Sequence, residues 1–152
     1  MKVVVATLIA ALMSASGADT ASSRPAVQHF GRPAVNGQRL PFSDAVRVGD
    51  IVYLSGQIGI GPDGKLPAGI EAQTSAALDN IGAILKRSGL GYGDVFHCTA
   101  MLADMKLWPA FNKAYLEYFP EPPLPARSAF GANGLALGAL VEIECQAYAG
   151  PK

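Results

Sequence analysis

Three charged side chains in the C-terminal third are the first candidates for chemistry: Arg127, Glu142 and Glu144. Arg127 stands in a run of small and apolar residues, where a guanidinium needs an anionic partner. Its planar group suits a carboxylate held through two parallel hydrogen bonds. A glutamate in a partly dry cleft acts as a general base toward water or shuttles a proton. Together these residues make carboxylate binding and general acid–base chemistry one hypothesis for this chain.

Structural roles compete with this hypothesis, and the sequence leaves both alternatives open. Arg127 would equally well form an internal salt bridge with a glutamate. For an isolated Glu-x-Glu such as Glu142 and Glu144, pairing with Lys or Arg across a sheet is the commoner use. The sequence has no Gly-x-Ser-x-Gly, Walker or Cys-x-x-Cys motif. His29 and His97 lie far apart without ligands at suitable spacing, so no metal site is predicted.

The composition describes one globular domain with balanced charge. The chain has 152 residues, of which 50% are hydrophobic, and its 12 Lys and Arg match its 12 Asp and Glu. This length supports one domain with one core. The cationic residues are scattered and form no basic run, which argues against nucleic acid as a partner.

The N-terminus has the pattern of an export signal. Lys2 precedes an apolar run over residues 3–13, and small residues follow at 14–18. We predict a signal peptide at 1–18, a flexible lead-in at 19–35 and the folded domain at 36–152. The mature protein would then be periplasmic or secreted, with no stable membrane association. An uncleaved hydrophobic anchor is the alternative.

The periodicity predicts an α+β fold with the order β-β-α-β-α-β-β. A hairpin turns at Gly49-Asp50, and helices are expected at 70–88 and 107–119. The remaining strands are expected at 94–103, 126–132 and 139–148, the last two joined by the glycine-rich turn 133–138. Two helices can cover one face of such a mixed sheet.

The predicted strands and helices also distribute apolar side chains between faces. In the last strand, Glu142 and Glu144 face away from the residues expected to pack on the helices, which are Val141, Ile143, Cys145 and Ala147. The uncovered face is too apolar around Val52 or Tyr53 to stay wet, which predicts a homo-oligomer with its site between subunits. The aromatic stripe of the second helix is expected in the core; it comprises Trp108, Phe111, Tyr115 and Phe119.

The two cysteines, Cys98 and Cys145, fall on predicted strands. Buried free thiols that pack as small apolar groups are the favoured interpretation. An exported protein would also permit a disulfide between them.

Several short motifs, in order and spacing, resemble the RidA family of enamine/imine deaminases. The resemblance covers about residues 36 to 149. The matching segments are Pro41-Phe42-Ser43-Asp44-Ala45-Val46, Ser55-Gly56-Gln57-Ile58, Glu71-Ala72-Gln73-Thr74, Leu78-Asp79-Asn80-Ile81, Phe111-Asn112, Pro125-Ala126-Arg127-Ser128 and Val141-Glu142-Ile143-Glu144.

This resemblance implies a chorismate-mutase-like homotrimer with three clefts between subunits and no cofactor or metal. It implies hydrolysis of 2-aminoacrylate-type enamines and imines to 2-keto acids and ammonia. Arg127 would bind the substrate carboxylate, and Glu142 would orient or activate water. The positions that match the pocket of the family are Phe42, Ser55, Gly56, Asn112 and Ala129.

Two pocket positions depart from the family pattern. Phe42 stands where members commonly have Tyr, and Ala129 where many have Cys. Both changes make the pocket more apolar or roomier. With the export signal, they motivate the alternative of a non-catalytic trimer that binds small carboxylates or acts like a chaperone.

Overall fold

The computed structural model describes residues 24–32 and 40–151. These residues form one seven-stranded sheet with two α-helices. The strands are β1 (Val27–Phe30), β2 (Ala45–Val48), β3 (Ile51–Leu54), β4 (Gln57–Ile58), β5 (Val95–Leu102), β6 (Ala126–Gly131) and β7 (Val141–Tyr148). The helices are α1 (Ile70–Arg87) and α2 (Trp108–Tyr118). The α+β class, the mixed sheet and both helices are as predicted.

The sheet has the order β1-β2-β3-β7-β5-β6, with β4 added to β7. Only β5 and β6 run parallel, because α2 crosses over between them. The other pairs are antiparallel. The central strands β5 and β7 therefore lie between the β2–β3 hairpin and the edge strand β6.

Helix α1 forms because its apolar residues recur on one side, its end charges suit the helix dipole and a glycine motif ends it. Glu71 lies in the first turn and Lys86 in the last, as the helix dipole favours. After the helix, Gly89 adopts φ 75°, and the amide of Leu90 donates to the carbonyl of Leu85 at 2.8 Å. This is the hydrogen-bond pattern of a Schellman motif, and it ends the helix before β5.

The core lies between the helices and one face of the sheet. Three residues of the predicted aromatic stripe, Phe111, Tyr115 and Phe119, are buried there as predicted, whereas Trp108 is only partly buried against the core. Other large buried side chains are Leu78, Ile81, Ile84, Leu85, Leu102 and Ile143. The opposite face exposes apolar rings at Tyr53, Phe130 and Tyr148, so it has the apolar character that the sequence predicts for an uncovered surface.

The expected pairing of the last two strands is wrong. Strand β6 pairs with β5, and β7 lies on the other side of β5. The α2 crossover delivers β6 to the free edge of β5, so the glycine-rich segment 133–138 crosses past a strand instead of closing a hairpin.

Two short strands were missed. The predicted loose lead-in is wrong for Val27–Phe30, which pair with β2 over the full length of both strands. The sequence also predicts that the chain leaves the sheet after residue 55, yet Gln57 and Ile58 pair with β7. Both strands are too short to show an apolar alternation. The predicted signal peptide at 1–18 lies outside the described residues.

The prediction of two free thiols is also wrong. Cys98 and Cys145 form a disulfide, and both are buried. They are register partners on adjacent antiparallel strands, β5 and β7. Their side chains therefore lie directly opposite each other on the core face. The sequence analysis expected β6 beside β7, and that strand order does not predict this pair.

No helix within residues 24–32 and 40–151 is long and apolar enough to cross a membrane.

Removal of the disulfide is expected to destabilise the protein. The bond joins residues 47 positions apart, so Cys98→Ala with Cys145→Ala should lower the free energy of unfolding by about 2–4 kcal/mol. Urea unfolding followed by circular dichroism measures this difference. Reduced wild type is the matched control, since it keeps both sulfur atoms in the core. Two titratable thiols in denatured, unreduced protein from an oxidising compartment would contradict the bond.

Candidate active site

Arg127 is held against aromatic rings on the helix side of the sheet. It is the register partner of the buried Cys98, so its side chain points toward α2. The guanidinium carbon lies 4.4 Å from the ring centroid of Tyr115, 5.0 Å from that of Trp108 and 5.2 Å from that of Phe111. Such contacts stabilise a cation and fix its orientation without neutralising its charge.

The hydrogen bonding of Arg127 leaves room for an external anion. Its Nη2 donates to Asn112 Oδ1 at 2.7 Å. Within the described part of the chain, Arg127 forms no salt bridge with a carboxylate. The alternative of an internal salt bridge is therefore not what these residues form. A half-buried guanidinium with one neutral acceptor retains donors for a ligand carboxylate.

A recess of about 310 Å³ opens beside this guanidinium. Its lining comprises Asn112, Tyr115, Leu116, Leu124, Pro125 and Arg127. Burial raises the pKa of Tyr115 to about 12, although the nearby charge of Arg127 acts in the opposite direction. The Tyr115 hydroxyl is buried and has no hydrogen-bond partner among the described residues. Tyr115 is therefore neutral at physiological pH and does not cancel the charge of Arg127.

Glu142 forms a second group with the segment Ser55-Gly56. Three residues, 54–56, oppose two residues of β7 between the pairs Tyr53↔Gln146 and Gln57↔Ile143, which is a β-bulge. A side chain on Gly56 would collide with the Glu142 carboxylate. The bulge and the glycine thus provide the space that the carboxylate occupies. Glu142 is half-buried, whereas Glu144 is exposed.

Ser55 is fixed by the strand entrance before β2. Its hydroxyl donates to the carbonyl of Ser43 at 2.7 Å, and its amide donates to the carbonyl of Asp44 at 2.9 Å. Phe42, just before these residues, is 53% exposed in the single chain. Ser55, Gly56 and Glu142 are therefore neighbours, and Phe42 lies next to the residue that anchors Ser55.

The sheet separates the two groups within one chain. Arg127 aligns with Cys98 on the core face, whereas Glu142 aligns with the exposed-face residue Met101. Ala129, the partner of the buried Ala100, shares the face of Arg127. Arg127, Asn112 and Ala129 thus belong to one group, and Glu142, Ser55 and Gly56 to another. One chain does not bring the predicted cation and carboxylate together.

The aromatic cage of Arg127 was missed as part of the site. Trp108, Phe111 and Tyr115 were predicted as core. Phe111 and Tyr115 are buried, Trp108 packs against the core partly buried, and all three contact the guanidinium. One indication was available in the sequence, because these rings lie on the same helix as the predicted pocket residue Asn112. It becomes informative only once α2 is known to cross over to β6.

Within the described ranges, no three His, Cys, Asp or Glu side chains are grouped as a metal ion would require.

A family model described as Endoribonuclease L-PSP matches residues 34–149. The chain belongs to this family, the RidA family. A mouse 2-iminobutanoate/2-iminopropanoate deaminase is 42% identical over 113 residues, which cover 73% of this chain and 83% of that protein. The chloroplastic Reactive Intermediate Deaminase A of Arabidopsis thaliana is 43% identical over 107 residues, and the match spans 69% of this chain but only 57% of that protein.

Solved structures of the RidA family share the fold. The YjgF gene product of E. coli has a TM-score of 0.72 and 31% identity, over 80% of this chain and 98% of that one. The structure of E. coli TdcF with bound serine has a TM-score of 0.70 and 29% identity, over 80% of this chain and 94% of that one. The predicted membership of the family is confirmed, and so is a deaminase-type enzyme at the level of the family.

Gly56→Ala is expected to damage the Glu142 group. The added methyl would occupy the position of the carboxylate, and Gly56 has no left-handed backbone that would add strain. Because a displacement of about 1 Å is enough to cost up to 100-fold in rate, turnover should fall by at least about tenfold. Gly91→Ala is the matched control, since that site is open and extended with φ −139°. Equal turnover of both variants would contradict the role of Gly56.

Proposed function

We propose that this RidA-family protein hydrolyses reactive 2-imino and 2-enamine acids to 2-keto acids and ammonia. The observation that carries the proposal is the unneutralised guanidinium of Arg127, caged by aromatic rings beside a recess. A 2-imino acid offers the carboxylate that such a group binds. The relatives named deaminases and the serine in the TdcF structure support a small, amino-acid-derived ligand.

The chemistry needs few groups because the substrate is reactive. Protonation of an enamine at carbon produces the imine. Water then adds to the imine carbon, and the resulting carbinolamine loses ammonia to leave the keto acid. Arg127 would hold the carboxylate, and Glu142 would orient water and transfer protons. The role of the protein is to fix the distance between these groups.

The active unit in this proposal is a homotrimer with each cleft shared by two copies. Two features support this arrangement: Arg127 and Glu142 lie on opposite faces of their own sheet, and the Glu142 face exposes apolar rings. In such an assembly, Arg127 of one copy would approach Glu142 of the next. Phe42 and Ala129 would line the cleft from the two sides.

Export to the periplasm or the outside of the cell is part of the proposal. The pattern over residues 1–18 supports it, and the buried disulfide between Cys98 and Cys145 belongs to an oxidising compartment. The family description names an endoribonuclease, but the balanced charge of 12 cationic and 12 anionic residues favours a small molecule over RNA.

Substitution of the two proposed catalytic groups should affect different kinetic constants. Arg127→Ala should raise KM by about 10- to 100-fold, because it removes charge-assisted hydrogen bonds to the carboxylate. Glu142→Gln should lower kcat by about 100-fold or more, because it removes the proton-transfer group at constant size. The assay generates imino acids in situ with an amino-acid oxidase and follows imine loss. Binding of a keto acid without turnover by wild type would favour the non-catalytic alternative.

Co-expression of these variants tests the shared cleft. In a mixed trimer, an Arg127→Ala copy supplies Glu142 to a Glu142→Gln copy that supplies Arg127. Random assembly then restores about a quarter of the clefts, so the mixture should recover about a quarter of wild-type activity. Separately purified variants, mixed without exchange of subunits, are the control. Failure of the co-expressed trimers to recover activity would contradict the shared cleft.

A further inference from the structure

We infer that Arg32 is a positioning residue that braces the Ser55-Gly56 segment from outside the family domain. The inference rests on the proposed function, since its kinetic effect passes through Glu142. Arg32 itself contacts neither Glu142 nor the Arg127 recess. Its importance lies in the two supports of the Ser55-Gly56 segment that it connects.

The first support is Asp44, whose carboxylate is held by two arginines. Arg32 Nε donates to Asp44 Oδ1 at 2.7 Å, and Arg87 Nη2 donates to Oδ2 at 2.6 Å. Asp44 is only 1% exposed, so these charge-assisted bonds fix its position. Its backbone carbonyl accepts the amide of Ser55 at 2.9 Å. A fixed Asp44 therefore fixes the start of the segment.

The second support is the buried side chain of Gln57. Its Nε2 donates to the carbonyls of both Ser55 and Gly56 at 2.9 Å. Its Oε1 faces Arg32 Nη2 at 3.4 Å, a longer contact that nevertheless comes from a cation. This contact orients the amide so that its nitrogen points at the two carbonyls. Gln57 thus holds the two carbonyls of the segment, whereas Asp44 holds the amide of Ser55.

Among the described residues, Arg32 is the one side chain that hydrogen-bonds to both supports. Arg87 shares Asp44 but forms no hydrogen bond with Gln57. Because Glu142 packs directly on Gly56, a shift of this backbone moves the carboxylate. The network therefore couples the position of Arg32 to a proposed catalytic group through four intervening residues, which are Asp44, Gln57, Ser55 and Gly56.

Arg32 reaches this network because β1 docks the preceding chain. Phe30 pairs with Ala45, which places Arg32 two residues further on and next to Asp44. The family match begins at residue 34, so β1 and Arg32 lie before it. A strand ahead of the family domain thus provides the brace.

Variants of three arginines separate the positioning role of Arg32 from a general contribution to stability. Arg32→Gln should lower kcat by about tenfold while KM stays within about twofold, because it loosens the Glu142 side and leaves Arg127 intact. Arg87→Gln removes the second partner of Asp44 but leaves the contact of Arg32 with Gln57, so its kcat should fall clearly less than that of Arg32→Gln. Arg47 is as exposed as Arg32, at 35%, but it bonds Gly49 and Ala149 and pairs with Asp50, so Arg47→Gln should leave kcat unchanged.

A lysine at the same position sharpens the comparison. Arg32→Lys retains a cation for Asp44 but lacks the planar fork that also reaches Gln57. It should recover the thermal stability lost in Arg32→Gln without recovering kcat. Recovery of both, or a kcat for Arg32→Gln equal to that of Arg87→Gln, would overturn the inference.

Hydrogen exchange keeps the test independent of activity. Peptides that contain Ser55 and Gly56 should exchange faster in Arg32→Gln than in Arg47→Gln, with α1 unchanged. Equal rates in the two variants would overturn the brace. Wild type without turnover would instead overturn the proposed function, and the exchange rates would still decide the role of Arg32.

Discussion

The site depends on a positive charge that is stabilised but not neutralised. Arg127 lies against three aromatic faces and donates to one amide oxygen. A cation near aromatic rings gains about 0.5–2 kcal/mol from such a contact. A salt bridge would have satisfied the guanidinium internally and removed its attraction for a ligand. The aromatic residues solve both problems, since the same rings fill the core and orient the cation.

The topology decides what this charge can meet. The crossover through α2 brings β6 to the edge of the sheet and turns Arg127 toward the helices. Two strands away, β7 directs Glu142 to the opposite face, where the bulge at residues 54–56 leaves space for its carboxylate. A single domain thus carries two half-sites that face away from each other. A site within one chain would need both groups on one face, and for this reason the proposed function places each cleft between two copies.

The sequence predicted best those features that depend on neighbours along the chain. The two helices were predictable at 70–88 and 107–119 because several turns repeat the same apolar spacing. The hairpin was predictable from the turn residues Gly49-Asp50. The family resemblance placed Arg127, Asn112, Glu142 and Gly56 in one pocket. Their division into two groups comes from the structure, since nothing in their spacing predicts which of them are in contact.

Features that depend on the order of strands were not predictable in the same way. The insertion of β5 between β6 and β7 reverses the simplest pairing, and the disulfide follows from that insertion. Strands as short as β1 and β4 have too few residues for a pattern. The Arg32–Asp44–Gln57 network joins residues up to 25 positions apart through side chains, which no local signal reports.

The disulfide has one more consequence, for proteolysis. Cys98 and Cys145 enclose α2, β6 and the start of β7, so Arg127 and Glu142 both lie inside the covalent loop. Leu137, 73% exposed and in a left-handed conformation, is a natural point of attack within it. A cut at that point would leave both pieces tied through the centre of the sheet. A nicked chain would remain a single molecule that retains both half-sites, until a reductant releases the pieces.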